Sequence, residues 1–138
     1  MEPIAITVTI TTAIEGEDTV TASYDGLLRV KGEELLLSYT EQGEGGATST
    51  LLTLGTARIT LLRRGAVSFS TVFCEGEEHA SLYSLGGLSF DAVTHTHSLR
   101  ILRGAAFPAF HCEYDLTLGG ERRRFLLSLH TAKREVTA

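Results

Sequence analysis

Apolar and polar residues alternate with a period of two along most of the chain. Ile4, Ile6, Val8 and Ile10 fall on one side, and Ala5, Thr7, Thr9 and Thr11 on the other. Successive side chains of an extended strand point to opposite faces, so such a run reads as a strand with one buried face. The pattern returns at Val20, Ala22 and Tyr24, at Leu35, Leu37 and Tyr39, at Ile59 and Leu61, and at Val67, Phe69 and Phe73. It continues at Leu88, Phe90 and Ala92, at Cys112, Tyr114, Leu116 and Leu118, and at Phe125, Leu127 and Leu129. Thr48–Leu54 and His79–Leu85 alternate less cleanly, since Leu51 and Leu52 fall on opposite faces. No stripe at i, i+3, i+4, i+7 lasts three turns, so the chain is expected to be all-β.

Glycines punctuate these runs. Gly16, Gly32, Gly43–Gly46, Gly55, Gly65, Gly76, Gly86-Gly87, Gly104 and Gly119-Gly120 each fall where an alternating run stops, as hairpin turns require. Gly26 interrupts a run instead of ending it, and is expected to mark a bulge or bend. Consecutive hairpins with few long connections favour closure over a two-sheet sandwich, because closure removes both exposed edges. The expected fold is an antiparallel up-and-down β-barrel of about eight to ten strands, forming one domain over residues 1–138.

Composition narrows the field. A chain of 138 residues with 43% apolar content can build one core without a metal or disulfides. Charged residues at 21% exclude an intrinsically disordered chain. No apolar run is long enough for a membrane helix, and the acidic, alternating start Met1–Ile4 is unlike a signal or transit peptide. The net charge of −5 is uneven: residues 1–57 hold nine acids against Arg29 and Lys31, whereas residues 58–138 hold eight acids against ten bases. A nucleic-acid partner would want a basic stripe, so neither nucleic acid nor a membrane is expected as partner. Cys74 and Cys112 are too few and too far apart for a disulfide framework or a zinc motif, which suits free thiols in a reducing cytoplasm.

Several short motifs, in order, carry a resemblance. Leu37-Ser38-Tyr39-Thr40-Glu41, Leu62-Arg63-Arg64-Gly65-Ala66-Val67, Gly86-Gly87-Leu88, Thr94-His95-Thr96 and Glu113-Tyr114-Asp115, with Gly26 ahead of Leu27–Val30, resemble the YwiB-like family. The chain departs from that pattern near His79–Leu85, where Tyr83 is displaced from the family's tyrosine. The resemblance implies a calycin-like (lipocalin-like) barrel and a bacterial, cytoplasmic setting, and implies no activity.

Parity points to one candidate site. If Leu35, Leu37 and Tyr39 face inward, so does Glu41, and Arg63 shares the inward face of Ile59 and Leu61. The two strands run the same way with one between them, so Glu41 and Arg63 should meet at one barrel mouth across about 10 Å of backbone. Tyr39, Glu41 and Arg63, with Thr50 from the intervening strand, then form either a polar plug or the receiver of an anionic head group. The inward list is mostly large, so a mostly filled lumen is expected, with at most a partial pocket near Thr71, Thr94 and Thr96. Those threonines would otherwise hydrogen-bond one another. The ligand-binding candidates are thus Tyr39, Glu41, Arg63, Thr94 and Thr96.

Other chemistry is thinner. His95 and His97 could hold one metal, but their parity places them outside the barrel with no third ligand in view, so exposed histidines and no metal are expected. There is no G-x-S-x-G elbow. Gly43–Ser49 resembles a phosphate loop but lacks its lysine and leads into a strand. Arg122-Arg123-Arg124 reads as solvated charge or interface ion pairs, and Cys112 as core. No catalytic residue or cofactor emerges, which weighs against an enzyme without deciding it. Two roles stay open: a barrel binding a small apolar or anionic ligand at its mouth, or a filled barrel acting through its outer surface as a homodimer or adaptor.

Overall fold

The computed structural model describes residues 2–104 and 107–135. Ten strands follow one another: β1 (Ile4–Ile14), β2 (Val20–Lys31), β3 (Glu34–Gly43), β4 (Gly46–Leu54), β5 (Ile59–Gly65), β6 (Val67–Phe73), β7 (Glu78–Leu85), β8 (Leu88–Leu102), β9 (Ala109–Leu118) and β10 (Glu121–Lys133). Each pairs antiparallel with its neighbours in sequence, and β1 pairs with β10, closing an up-and-down barrel. Closure satisfies both edges that an open sheet would expose. No helix occurs among the described residues, and none is long and apolar enough to cross a membrane.

The irregular segments also settle into strands. In β4, Leu52 is buried in the lumen while Leu51 lies outside, 37% exposed. Gly26, however, makes no bulge: it pairs in register with Ile6 on β1 and Tyr39 on β3. A Cβ there would lie 2.7 Å from the Ser38 carbonyl oxygen and 2.9 Å from Val8 Cγ2. Close approach of three strands, not a bend, requires the glycine. The register shift falls instead between Thr96 and Ser98 on β8. Before it, Ala92, Thr94 and Thr96 are buried; after it, Leu99 and Ile101 pack on the core.

The lumen is densely filled at one end. Ile6, Leu37, Leu54, Ile59, Phe73 and Phe110 are fully buried there, each contributing roughly 1.5–3 kcal/mol of burial. They come from the starts of β1, β3, β5 and β9 and the ends of β4 and β6. At this end the Arg103 guanidinium donates to the Glu33 carbonyl, tying two connections together. The opposite end, where β1–β2, β3–β4, β5–β6, β7–β8 and β9–β10 turn, is the mouth. Gly65 shapes it with φ of +135° and a Cβ position that would collide with the Ala47 carbonyl oxygen. That carbonyl accepts the Ala66 N–H at 3.0 Å, and the Val67 N–H donates to Thr48 Oγ1 at 3.2 Å.

Candidate functional site

Strand alternation and sequential pairing bring five polar side chains together near the mouth. Thr50 on β4 pairs with both Tyr39 on β3 and Arg63 on β5, which sets Arg63 two strands from the β3 side chains. Arg63 Nη2 donates to Glu41 Oε1, and the Tyr24 hydroxyl from β2 donates to Glu41 Oε2 at 3.1 Å. The Tyr24 and Tyr39 rings stack with centroids 5.0 Å apart and planes 17° apart. Burial, reinforced by the Glu41 carboxylate, raises the Tyr24 pKa, and burial raises that of Tyr39. Both phenols therefore remain protonated donors near neutral pH.

Tyr24, Tyr39, Glu41 and Arg63 border a cavity of about 350 Å³ in the mouth half of the lumen. Its walls are largely apolar, with Ile10, Ala22, Leu61 and Phe110 among them, and Tyr114 adds a further phenol. Glu17 and Asp18 from the β1–β2 turn stand at the same cavity. The expectation of a mostly filled lumen is thus corrected. Ten strands give a wide bore, Ala22 contributes little volume, and the large aromatics pair off instead of meeting in the middle. Tyr114 stacks on Phe125 with centroids 5.1 Å apart, as Tyr24 does on Tyr39.

Of the residues singled out by parity, Tyr39, Glu41 and Arg63 come together on this cavity. Thr94 and Thr96 do not join them: both are buried on β8, and neither they nor Thr71 borders the cavity. Nor do the threonines satisfy one another. The hydroxyls of Thr50, Thr71, Ser81, Thr94 and Thr96, and Arg63 Nε, are buried with no hydrogen-bond partner among the described residues. Thr71 and Ser81 flank the β6–β7 ladder, which is reduced to the pairs joining Val67–Phe69 to Tyr83–Leu85. Tyr24, Ala22 and Tyr114 escaped notice as site residues. Their parity was legible, but parity does not reveal which inward positions face empty space.

A second cluster lies on the outer wall, where His95 and His97 were expected to be exposed and the arginine run to be solvated or to form interface ion pairs. Asp115 is only 4% exposed, covered by neighbouring side chains although it points away from the lumen. Arg124 Nε reaches its Oδ1 at 3.0 Å, and Arg122 Nε and His97 Nε2 reach its Oδ2 at 3.0 and 2.9 Å. Burial alone would raise the Asp115 pKa, but hydrogen bonds from Arg124 and His97 and the charges of Arg122 and Arg124 outweigh it and hold the carboxyl at about 2. Arg122 and Arg124 are therefore bound to a buried carboxylate; Arg123 instead pairs with Glu17 and Glu121 at the mouth. His95 stays by Glu78, 3.4 Å away. Among the described residues no three His, Cys, Asp or Glu side chains are arranged to hold a metal. Burial also pushes the Cys112 thiol up to about 12, which leaves it a core residue and no nucleophile.

The crystal structure of the YwiB protein from Bacillus subtilis shares this fold, with a TM-score of 0.87 over 96% of this chain and 94% of that one, at 19% sequence identity. No curated protein matches. The motifs, the closed ten-stranded barrel and a match over residues 4–126 lead to one conclusion: the chain belongs to the family described as a domain of unknown function, DUF1934.

Proposed function

We propose that the barrel binds a small, mostly apolar molecule in the mouth half of its lumen, through a single polar end. The observation that supports this is the cavity of about 350 Å³, a size common for small-ligand sites that join apolar walls to a few convergent polar groups. The polar end also narrows the chemistry. Glu41 is occupied by Arg63 and Tyr24, so the pair is close to neutral and each carboxylate oxygen already accepts one hydrogen bond. What remains is donor capacity: Arg63 Nε, the Tyr39 hydroxyl and the Tyr114 hydroxyl. Glu17 and Asp18 at the cavity disfavour an anion. The ligand that fits is uncharged and carries an acceptor, such as a ketone, ester or amide oxygen. Free Cys74 and Cys112 accord with a cytoplasmic setting.

Native mass spectrometry of the protein purified from its own host tests the reading, with Ala22→Phe as control. Ala22 borders the cavity and pairs with Ile10, so the added ring enters the void. Prodan, an uncharged naphthyl ketone, serves as probe. Blue-shifted emission with the native protein and its loss in Ala22→Phe support the proposal; no emission change, or equal change in both proteins, overturns it.

A further inference from the structure

The outer wall carries a feature that a solvated barrel face does not need. On β2–β5, Leu27, Leu36, Leu51 and Leu62 all point outward and line a surface trough of about 720 Å³. Leu51 pairs across the ladders with Ser38 and Leu62, and Ser38 pairs in turn with Leu27. The short Ser38 side chain therefore leaves a channel between leucines. Leu27 and Leu51 remain 37% exposed. Outward positions of an antiparallel sheet are ordinarily polar, so four leucines gathered on one outer face make it a candidate contact surface.

Charge identifies the partner. Arg58, Arg63, Arg122, Arg123, Arg124 and Arg134 each hold a carboxylate. Arg29, Arg64, Arg100 and Arg103 hold none among the described residues; Arg103 is turned to the Glu33 carbonyl, and Arg29 and Arg64 border the trough. Arg29 pairs with Leu36 on one side of the leucine row and Arg64 with Ser49 on the other. In a chain of net charge −5, two free arginines thus flank an apolar channel. From these observations we propose that the trough docks an acidic amphipathic helix of another protein, with apolar side chains at i, i+3 and i+7 on the leucines and carboxylates on Arg29 and Arg64. The four strands span about 14 Å, which accommodates a helix about 10 Å wide. Asp25 also borders the trough but is held by Arg134 at 3.2 Å, so a two-fold contact between copies through this face would leave Arg29 and Arg64 without free carboxylates to meet. An anionic membrane is disfavoured by the overall negative charge.

The test is fluorescence anisotropy on the full chain with a labelled peptide of about 14 residues, leucines at i, i+3 and i+7 and glutamates elsewhere. A lysine-for-glutamate version is the control. Expected are saturable binding of the acidic peptide only, weakening with salt, and a loss of roughly tenfold or more in the Arg29→Glu, Arg64→Glu double variant. Both arginines are exposed and make no ion pair among the described residues, so the variant should keep its circular dichroism; if it does not, Leu51→Ser on the same outer face replaces it. Absence of binding, or equal binding of the two peptides, overturns the proposal. So does a dimer in sedimentation equilibrium that Arg64→Glu disperses, or flotation with equimolar phosphatidylglycerol–phosphatidylcholine vesicles without peptide binding. Ala22→Phe should leave peptide binding unchanged, which separates this surface from the lumen.

Discussion

Asp115 and Arg124 are direct cross-strand partners on β9 and β10, and their side chains meet at 3.0 Å between Oδ1 and Nε. With Arg122 and His97 on the other oxygen, a carboxylate on the outer wall is covered as fully as a core residue. The cluster joins β8, β9 and β10 beside the β8 register shift, where the ladder is locally interrupted.

Acid should expose its contribution. The Asp115 carboxyl titrates at about 2 in the fold and near its ordinary value when unfolded. Its stabilisation is therefore complete above the unfolded pKa and is lost as pH falls through the folded one. Between about pH 4 and pH 2 the native protein should lose about 2 kcal/mol that Asp115→Asn does not lose. Urea unfolding at stepped pH checks this; parallel curves for the two proteins would refute it.

The Glu41–Arg63 pair is half-buried, at 29% and 24% exposed. Arg63→Ala strands the carboxylate and should lower unfolding free energy by roughly 1–3 kcal/mol. Glu41→Gln combined with Arg63→Met removes both charges and should recover much of that loss. Denaturant titration of the native protein and the two variants decides; equal losses in the single and double variants would show that the pair itself contributes little.

Gly26→Ala and Gly65→Ala should both destabilise, for different reasons. At Gly26 the new methyl group meets the Ser38 carbonyl oxygen and Val8 at ordinary extended backbone geometry; at Gly65 it meets the Ala47 carbonyl oxygen at positive φ. Clashes with backbone place each cost at roughly 2 kcal/mol or more. Gly16, at positive φ but with open space around its Cβ position, should cost about 1 kcal/mol on the same change. Thermal melts of the three variants give the ranking.

Thiol reactivity should separate the two cysteines. Cys112 is buried beside the core with its pKa pushed up to about 12, whereas Cys74 is only half-buried. Ellman's reagent at pH 8 should modify one thiol in the native protein and two in denaturant; two fast thiols in the native state would contradict the packing of β9 against β10.

How far the sequence speaks for itself can be seen at particular residues. The parity of Tyr39, Glu41 and Arg63, together with hairpin order, was enough to set them at one end of the barrel, because both follow from local strand geometry. The turns at Gly16, Gly32 and Gly86-Gly87 were legible for the same reason. Gly26 was misread because a glycine inside a strand serves a bulge or a close approach equally well, and only the neighbouring strands distinguish them. Asp115 and its arginines were missed for another reason. The Gly119-Gly120 hairpin sets Arg124 opposite Asp115, but alternation marks both only as outward and does not show that Arg122, Arg124 and His97 close over the carboxylate.

The sequence by itself determined an all-β chain, its strands, their inward faces and a closed hairpin order, since each is set by period-two alternation and glycine turns. The tertiary structure alone decided that the lumen is packed at one end and hollow at the other, that Thr94 and Thr96 lie away from the cavity, and that outward leucines of β2–β5 gather between two free arginines. Alternation assigns a side chain to a face; only packing in three dimensions decides what stands opposite it.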